Sequence, residues 1–286
     1  MTALDDQLQT IAAASGTQPA IAFFDLDRTL IAGYSILAVA RETAEQGARR
    51  GKLRQATKVV QDIVKHKVFS SGGNYHRLVK RTTKALTGVS EAALHEIGEQ
   101  AYRKHIARTL YREAVALVEA HRAAGHKLAI ISAASRYQIE PVARVLGIDE
   151  IHCTRLEVVD GRFTGQLVAP MCFGEGKVLA AQRSARRHKA TLGNCWFYSD
   201  SSDDLPLLRK VGHPVAVNPS DKLGAHARTR QWPQLVFSSR GIPSVESVAR
   251  TVLTAQTIIG TTAFGLLSKR FGRSPYRSAN QLTRLF

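Results

Sequence analysis

The run Ala20-Ile21-Ala22-Phe23-Phe24 passes straight into Asp25-Leu26-Asp27-Arg28-Thr29-Leu30, and no other stretch constrains the fold as much. The apolar run is short, follows Pro19 and carries large side chains, so it reads as a buried β-strand rather than a helix. Two carboxylates stand two apart where that strand ends. In an open α/β sheet, ligands bind at the edge formed by the strands' C-terminal ends. Like charges are costly to bury there unless a cation compensates them. A divalent metal ion meets that need.

The same strand–loop–helix pattern recurs downstream. Residues 127–131 form a second apolar run that ends on Ser132. A helix is expected from about Ser135, with Ile139, Val142, Ala143 and Leu146 on one face and Gly147 closing it. Residues 194–199 form a further strand, which runs into Asp200-Ser201-Ser202-Asp203-Asp204, and residues 214–218 another. This alternation predicts an α/β fold with a Rossmann-like parallel sheet. Asp160-Gly161, between two strand-like runs, predicts a short β-hairpin insert. Gly174-Glu175-Gly176 leads into Lys177 and a helix reaching about Arg187.

Three regions depart from this pattern. Residues 35–113 have helical periodicity, and 49–84 hold eleven Lys or Arg against one acid, Asp62, with a turn at residues 70–74. They predict a small helical cap whose charge makes either a solvated face or an electropositive lid. Residues 1–18 read as a lead-in of one or two helical turns. The expected organisation is a catalytic core of 1–34 and 112–240, a cap of 35–111 and a basic, weakly hydrophobic tail of 241–286. Residues 251–267 lack charge but include five Thr, less apolar than the ~20-residue stretch a spanning helix needs. They suit a membrane-associated helix or a packed one.

The net charge of +17 points to an anionic partner: nucleic acid, an acidic membrane surface or a phosphorylated substrate. No nucleic-acid motif accompanies it, so no specific nucleic acid is expected. The three cysteines show no C-x-x-C spacing, which argues against a zinc site or disulfide framework and for a reducing compartment. No secretory pattern opens the chain. A cytoplasmic protein is expected, with peripheral membrane association through the tail as the reservation.

A parallel sheet would gather Asp25, Asp27, Ser132, Asp200, Asp203 and Asp204 on one edge, with Lys177 beside them. Such an oxygen-rich set suits Mg²⁺ better than zinc. A lysine and a hydroxyl beside the metal can hold phosphoryl oxygens. One aspartate can attack phosphorus and a second can move the proton. Blander readings stand beside these: Ser132 as a helix-entry residue with Ser135 the cap, Lys177 as a surface lysine with Lys189 its competitor, and Asp204 as a helix first-turn acid.

These residues resemble the four motifs of the haloacid dehalogenase-like superfamily. Asp25-Leu26-Asp27-Arg28-Thr29 resembles motif I, Ser132 motif II, Lys177 motif III and Asp200 to Asp204 motif IV. The helical insert is similar to the cap of the phosphoserine-phosphatase-like subgroup. The resemblance implies Asp25 as nucleophile and Mg²⁺ ligand, and Asp27 as general acid/base with its carbonyl on the metal. It implies Thr29 as a loop and phosphate-site residue, and Ser132 and Lys177 as phosphate binders. Asp200 would be a further metal ligand, with Asp203 and Asp204 in support. It implies a Mg²⁺-dependent phosphatase working through an aspartyl-phosphate on a small or phospholipid-linked phosphate monoester. The narrower likeness is to phosphatase domains fused to lysophosphatidate acyltransferases. Tyr34 stands where phosphoserine phosphatases typically carry a glutamate, which argues against free phosphoserine as main substrate. Phosphoserine phosphatase-like activity, phosphotransfer and a basic scaffold remain the alternatives.

Overall fold

The computed structural model describes residues 2–16, 18–49 and 73–238. Much of the basic insert, residues 70–72 of the expected turn, and the whole tail with its uncharged stretch 251–267 lie outside the described residues.

The first strand, β1 (Ile21–Phe24), is buried along its whole length. The other strands are β2 (Lys127–Ser135), β3 (Glu150–Val159), β4 (Arg162–Val168), β5 (Trp196–Ser199), β6 (His213–Val217) and β7 (Gln234–Leu235). They form one sheet in the order β4-β3-β2-β1-β5-β6-β7. Only β4 runs antiparallel to its neighbour. This is the expected α/β fold with a mostly parallel sheet.

Alternation along the strands sends side chains to two separate cores. Ala22, Phe24, Ile130, Trp196, Tyr198, Val215 and Val217 face one helical layer. Ile21, Phe23, Ala129, Ile131, Phe197 and Ala216 face the other. The first layer includes α1 (Ala3–Ala13), α5 (Arg112–Ala123) and α6 (Arg136–Leu146), and the second α7 (Glu175–Arg187) and α9 (Asp221–Thr229). Between α7 and α9 the four-residue α8 (Leu205–Leu208) completes the second layer. Because both faces are covered, β1 has no polar side at all.

Three expectations change. The lead-in is an eleven-residue helix, not one or two turns: Thr2 and Asp5 form a capping box, and Leu8 and Ile11 are buried against the sheet. Strand β2 does not stop at Ser132 but continues through a register shift to Ser135. Gly73 and Asn74, read as part of a turn, begin a helix.

Between β1 and β2 lie α2 (Ser35–Arg49), α3 (Gly73–Ala85), α4 (Glu91–Ala101) and a π-helical turn at Tyr102–Ile106. The hairpin turn at Asp160-Gly161 forms as expected, both residues having positive φ. The hairpin packs on this insert. Phe163 joins Leu94 and Tyr137 in a small core, its N–H donates to the Val89 carbonyl at 3.0 Å, and its carbonyl accepts from Gly88 N–H at 2.8 Å. Among the described residues, no helix is long and apolar enough to cross a membrane.

Candidate active site

Strand register aligns the predicted residues. Phe24 pairs with Ile130 on one side and Tyr198 on the other. Ser132 and Asp200 therefore each lie two residues past the partner of Phe24, one step beyond the level of Asp25. The Asp25 N–H donates to the Tyr198 carbonyl at 3.0 Å, which carries the pairing one residue into the loop. Asp25, Ser132, Lys177, Asp200 and Asp204 are all buried.

Lys177 is the centre of the charge arrangement. Its Nζ donates to Asp25 Oδ1 and Asp204 Oδ2, both at 2.8 Å, and lies 5.5 Å from the Phe197 ring centre. Burial alone would lower the ammonium, but Asp204 and Asp25 outweigh it and hold its pKa above the ordinary lysine value. Gly176 explains how the helix start comes so close: a Cβ there would sit 1.8 Å from the Met171 carbonyl oxygen. Asp204 Oδ2 also accepts from Ser199 Oγ at 2.6 Å. The surface reading of Lys177 and the bare first-turn reading of Asp204 do not match these contacts.

The carboxylates around Lys177 carry more negative charge than it neutralises. Burial raises Asp25 above the usual aspartate value, Lys177 opposes that rise, and Asp204 adds to it. Asp200 is pushed up to about 8, first by burial and then by the charge of Asp25. Asp27 is raised to about 7, mainly by burial, although its Oδ1 accepts the Ser35 N–H at 2.8 Å at the start of α2. Ser35 is itself held, its Oγ accepting from Gln138 Nε2 at 3.0 Å. This excess of buried, hard oxygen donors fits a divalent cation of the Mg²⁺ kind.

Thr29 and Ser132 offer hydroxyls. Thr29 is 1% exposed, and its Oγ1 has no hydrogen-bond partner among the described residues. An orphaned buried hydroxyl is costly, which fits a site built for a further polar group. Ser132 Oγ accepts the Ala134 N–H at 3.3 Å. Ser135 precedes α6, its N–H donating to Gln138 Oε1 at 2.9 Å, so the capping is done by Ser135 and not Ser132.

Asp203 does not join the cluster. It is half-buried, its N–H donates to Ser201 Oγ at 3.1 Å, and its carboxylate has no partner among the described residues. Arg28 does join it, and sequence reasoning passed it over. It adopts φ 60°, pairs with Asp200 Oδ2 at 3.2 Å and donates to the Asn218 carbonyl at 3.5 Å. A base between two acids and a threonine was the available signal.

A mostly parallel α/β sheet with this acidic edge and buried lysine defines a hydrolase of the haloacid dehalogenase type. The family's sequence profile, haloacid dehalogenase-like hydrolase, matches residues 22–209, and the chain belongs to that family. It is 33% identical over 276 residues to a probable phosphatase of Mycobacterium tuberculosis, covering 91% of this chain and 94% of the relative. A histidinol-phosphatase of Neisseria meningitidis is 32% identical over 222 residues, 76% of this chain and 98% of that one. A crystal structure of a protein of unknown function from Bordetella pertussis superimposes with a TM-score of 0.67 at 30% identity, covering 77% of this chain and 99% of that one. The chain is thus a hydrolase of the phosphatase kind, a phosphoric monoester hydrolase by family.

Proposed function

We propose that the protein hydrolyses a small phosphate monoester through an aspartyl-phosphate on Asp25. The observation that carries this reading is the Lys177 bridge between Asp25 and Asp204, with Asp27 two residues on and its Oδ1 accepting the Ser35 N–H at 2.8 Å. The Asp25 carboxylate attacks phosphorus and the ester P–O bond breaks. Asp27 passes its proton to the leaving oxygen. Water then attacks the phosphorus of the acyl-phosphate, Asp27 takes the water's proton, and inorganic phosphate leaves with the Asp25 carboxylate restored. A general acid and base with pKa near the working pH serves both halves.

Lys177, Ser132 and Thr29 hold the phosphoryl oxygens, and the Lys177 charge opposes the rise that burial imposes on the Asp25 carboxyl. Asp25, Asp200 and the Asp27 carbonyl would hold Mg²⁺, which when bound would supply charge stabilisation to the phosphoryl group. Asp204 fixes Lys177. Asp203, first grouped with it in support, has only a local role in its turn. The described helices α2, α3 and α4 act as a cap, since α2 begins at the Asp27 contact and α3 and α4 follow it in the chain.

The substrate we favour is a small phosphomonoester with a nitrogen-bearing or aromatic body. Similarity to a histidinol-phosphatase over almost that protein's whole length supports it, as does Tyr34 in place of a glutamate. The test is turnover of histidinol phosphate, phosphoserine, glycerol phosphate, lysophosphatidate and an aryl phosphate, with and without Mg²⁺, by wild type and Asp25→Asn. Metal-dependent turnover reduced by several orders of magnitude in Asp25→Asn is expected. Turnover retained in the variant would overturn the mechanism. Preference for lysophosphatidate would instead favour the lipid-linked reading suggested by the basic tail.

A further inference from the structure

A cavity of about 360 Å³ opens where β5 and β6 begin. The catalytic residues stand where those strands end. Trp196 lines the cavity, and Asp200 follows it by four residues, roughly 13 Å along an extended chain. Its volume lies toward the small end of ligand sites, which span roughly 300–1,000 Å³.

The lining pairs flat rings with positive charge. Trp196 is held between His126 and His213, with ring centroids 4.6 and 4.0 Å away, and His213 also lines the cavity. The Trp196 indole N–H is buried without a hydrogen-bond partner among the described residues. Trp232 supplies a second indole. Arg209 and Arg230 stand exposed on the same lining, and no carboxylate belongs to it. Neighbouring Lys210 pairs with Glu175 at 3.6 Å, but neither arginine has an ion-pair partner among the described residues. Their combined charge reaches His226, whose imidazole is lowered by burial and then by both arginines. Gln7 and Gln231 add side-chain amides to the lining, the Gln7 amide nitrogen donating to Tyr198 Oη at 3.0 Å.

We propose that this cavity binds a nucleoside monophosphate, with the phosphate on Arg209 and Arg230 and the base against Trp232 and His213. Two uncommitted guanidiniums match a phosphomonoester dianion better than a single carboxylate. Planar rings and amides suit a base, and the volume suits one nucleotide rather than a dinucleotide. This site is separate from the catalytic edge and does not rest on the proposed substrate.

The chain has two tryptophans, and both line the cavity, so its intrinsic emission reports on this site. The experiment titrates AMP, GMP, CMP and UMP, with adenosine and inorganic phosphate as halves, into full-length Asp25→Asn protein without Mg²⁺. Nucleotides are then not consumed. A saturable change in emission with at least one nucleotide is expected, weakened roughly ten- to a hundredfold by Arg209→Ala or Arg230→Ala. In the wild-type background, both substitutions are expected to leave phosphatase turnover unchanged. The proposal falls if no nucleotide alters the emission of folded protein. It falls equally if adenosine acts as strongly as AMP, or if the double variant R209A/R230A binds as tightly as its parent.

Discussion

Replacing Lys177 by Met tests the charge arrangement directly. The side chain is 3% exposed, and its ammonium is shared by Asp25 and Asp204 at 2.8 Å each. Met fills similar space but leaves two buried carboxylates without their cation. Breaking a buried pair from one side costs about 3–5 kcal/mol, because the stranded charge stays desolvated. At ~2–4 °C per kcal/mol for a domain of this size, the melting temperature should fall by about 6–20 °C. The loss should also depend on pH. Without Lys177, the Asp25 carboxyl rises further above its unfolded value of 3.8. A group raised in the folded state contributes stability below its unfolded pKa and loses it as pH rises through the folded pKa. The gap between wild type and variant should therefore be small near pH 4 and widen toward pH 8. Thermal unfolding followed by circular dichroism, with EDTA to remove divalent cations, measures it. The double variant Lys177→Met/Asp204→Asn should recover part of the loss, since one stranded charge is gone. A gap below about 1 kcal/mol at pH 8, or one that widens toward acid, would refute the reasoning.

Three other expectations follow from particular contacts. Burial, with the charges of His126 and His213, holds His121 well below 6.5, and burial also lowers His126 and His213. The unfolded chain binds more protons there, so these histidines contribute a loss of stability as pH drops below about 6.5, and His213→Phe should lose less stability than wild type across that range in paired melting curves. Gly176→Ala should destabilise the protein by about 1–3 kcal/mol and slow turnover, since its Cβ meets the Met171 carbonyl at 1.8 Å. Gly193→Ala, whose Cβ meets only Thr191 Oγ1 at 3.7 Å, is the near-neutral control in the same denaturation series. Thr29→Val removes a buried hydroxyl that has no partner, so stability should hold or rise by about 1 kcal/mol while turnover falls. An unchanged rate would remove Thr29 from the phosphate site.

Local pattern carried much of this fold because its elements depend on neighbours in the chain. The apolar run before Asp25, the Asp160-Gly161 hairpin and the helix from Arg136 to Leu146 each declare themselves within a few residues. The acidic edge was legible for the same reason: in a parallel sheet, a carboxylate that follows a buried strand has one place to go. The helix at Ala3–Ala13 is equally local, since Thr2 and Asp5 cap its first turn.

Other features depend on distance in the chain and required the folded molecule. Asp203 and Asp204 are adjacent and chemically identical. Only the 3₁₀ turn at Ser202–Asp204 buries one against Lys177 and leaves the other half in solvent. Lys177 and Lys189 could not be ranked until the close approach at Gly176 set the first against Asp25. Arg28 reaches Asp200 because its backbone turns to φ 60° and the sheet brings β5 beside β1. The cavity at the opposite edge gathers Gln7, Trp196, Arg209 and Arg230 from four separate segments. Periodicity and capping are set by contacts within a turn or two, whereas charge pairing and cavities are set by which distant segments the two apolar cores bring together.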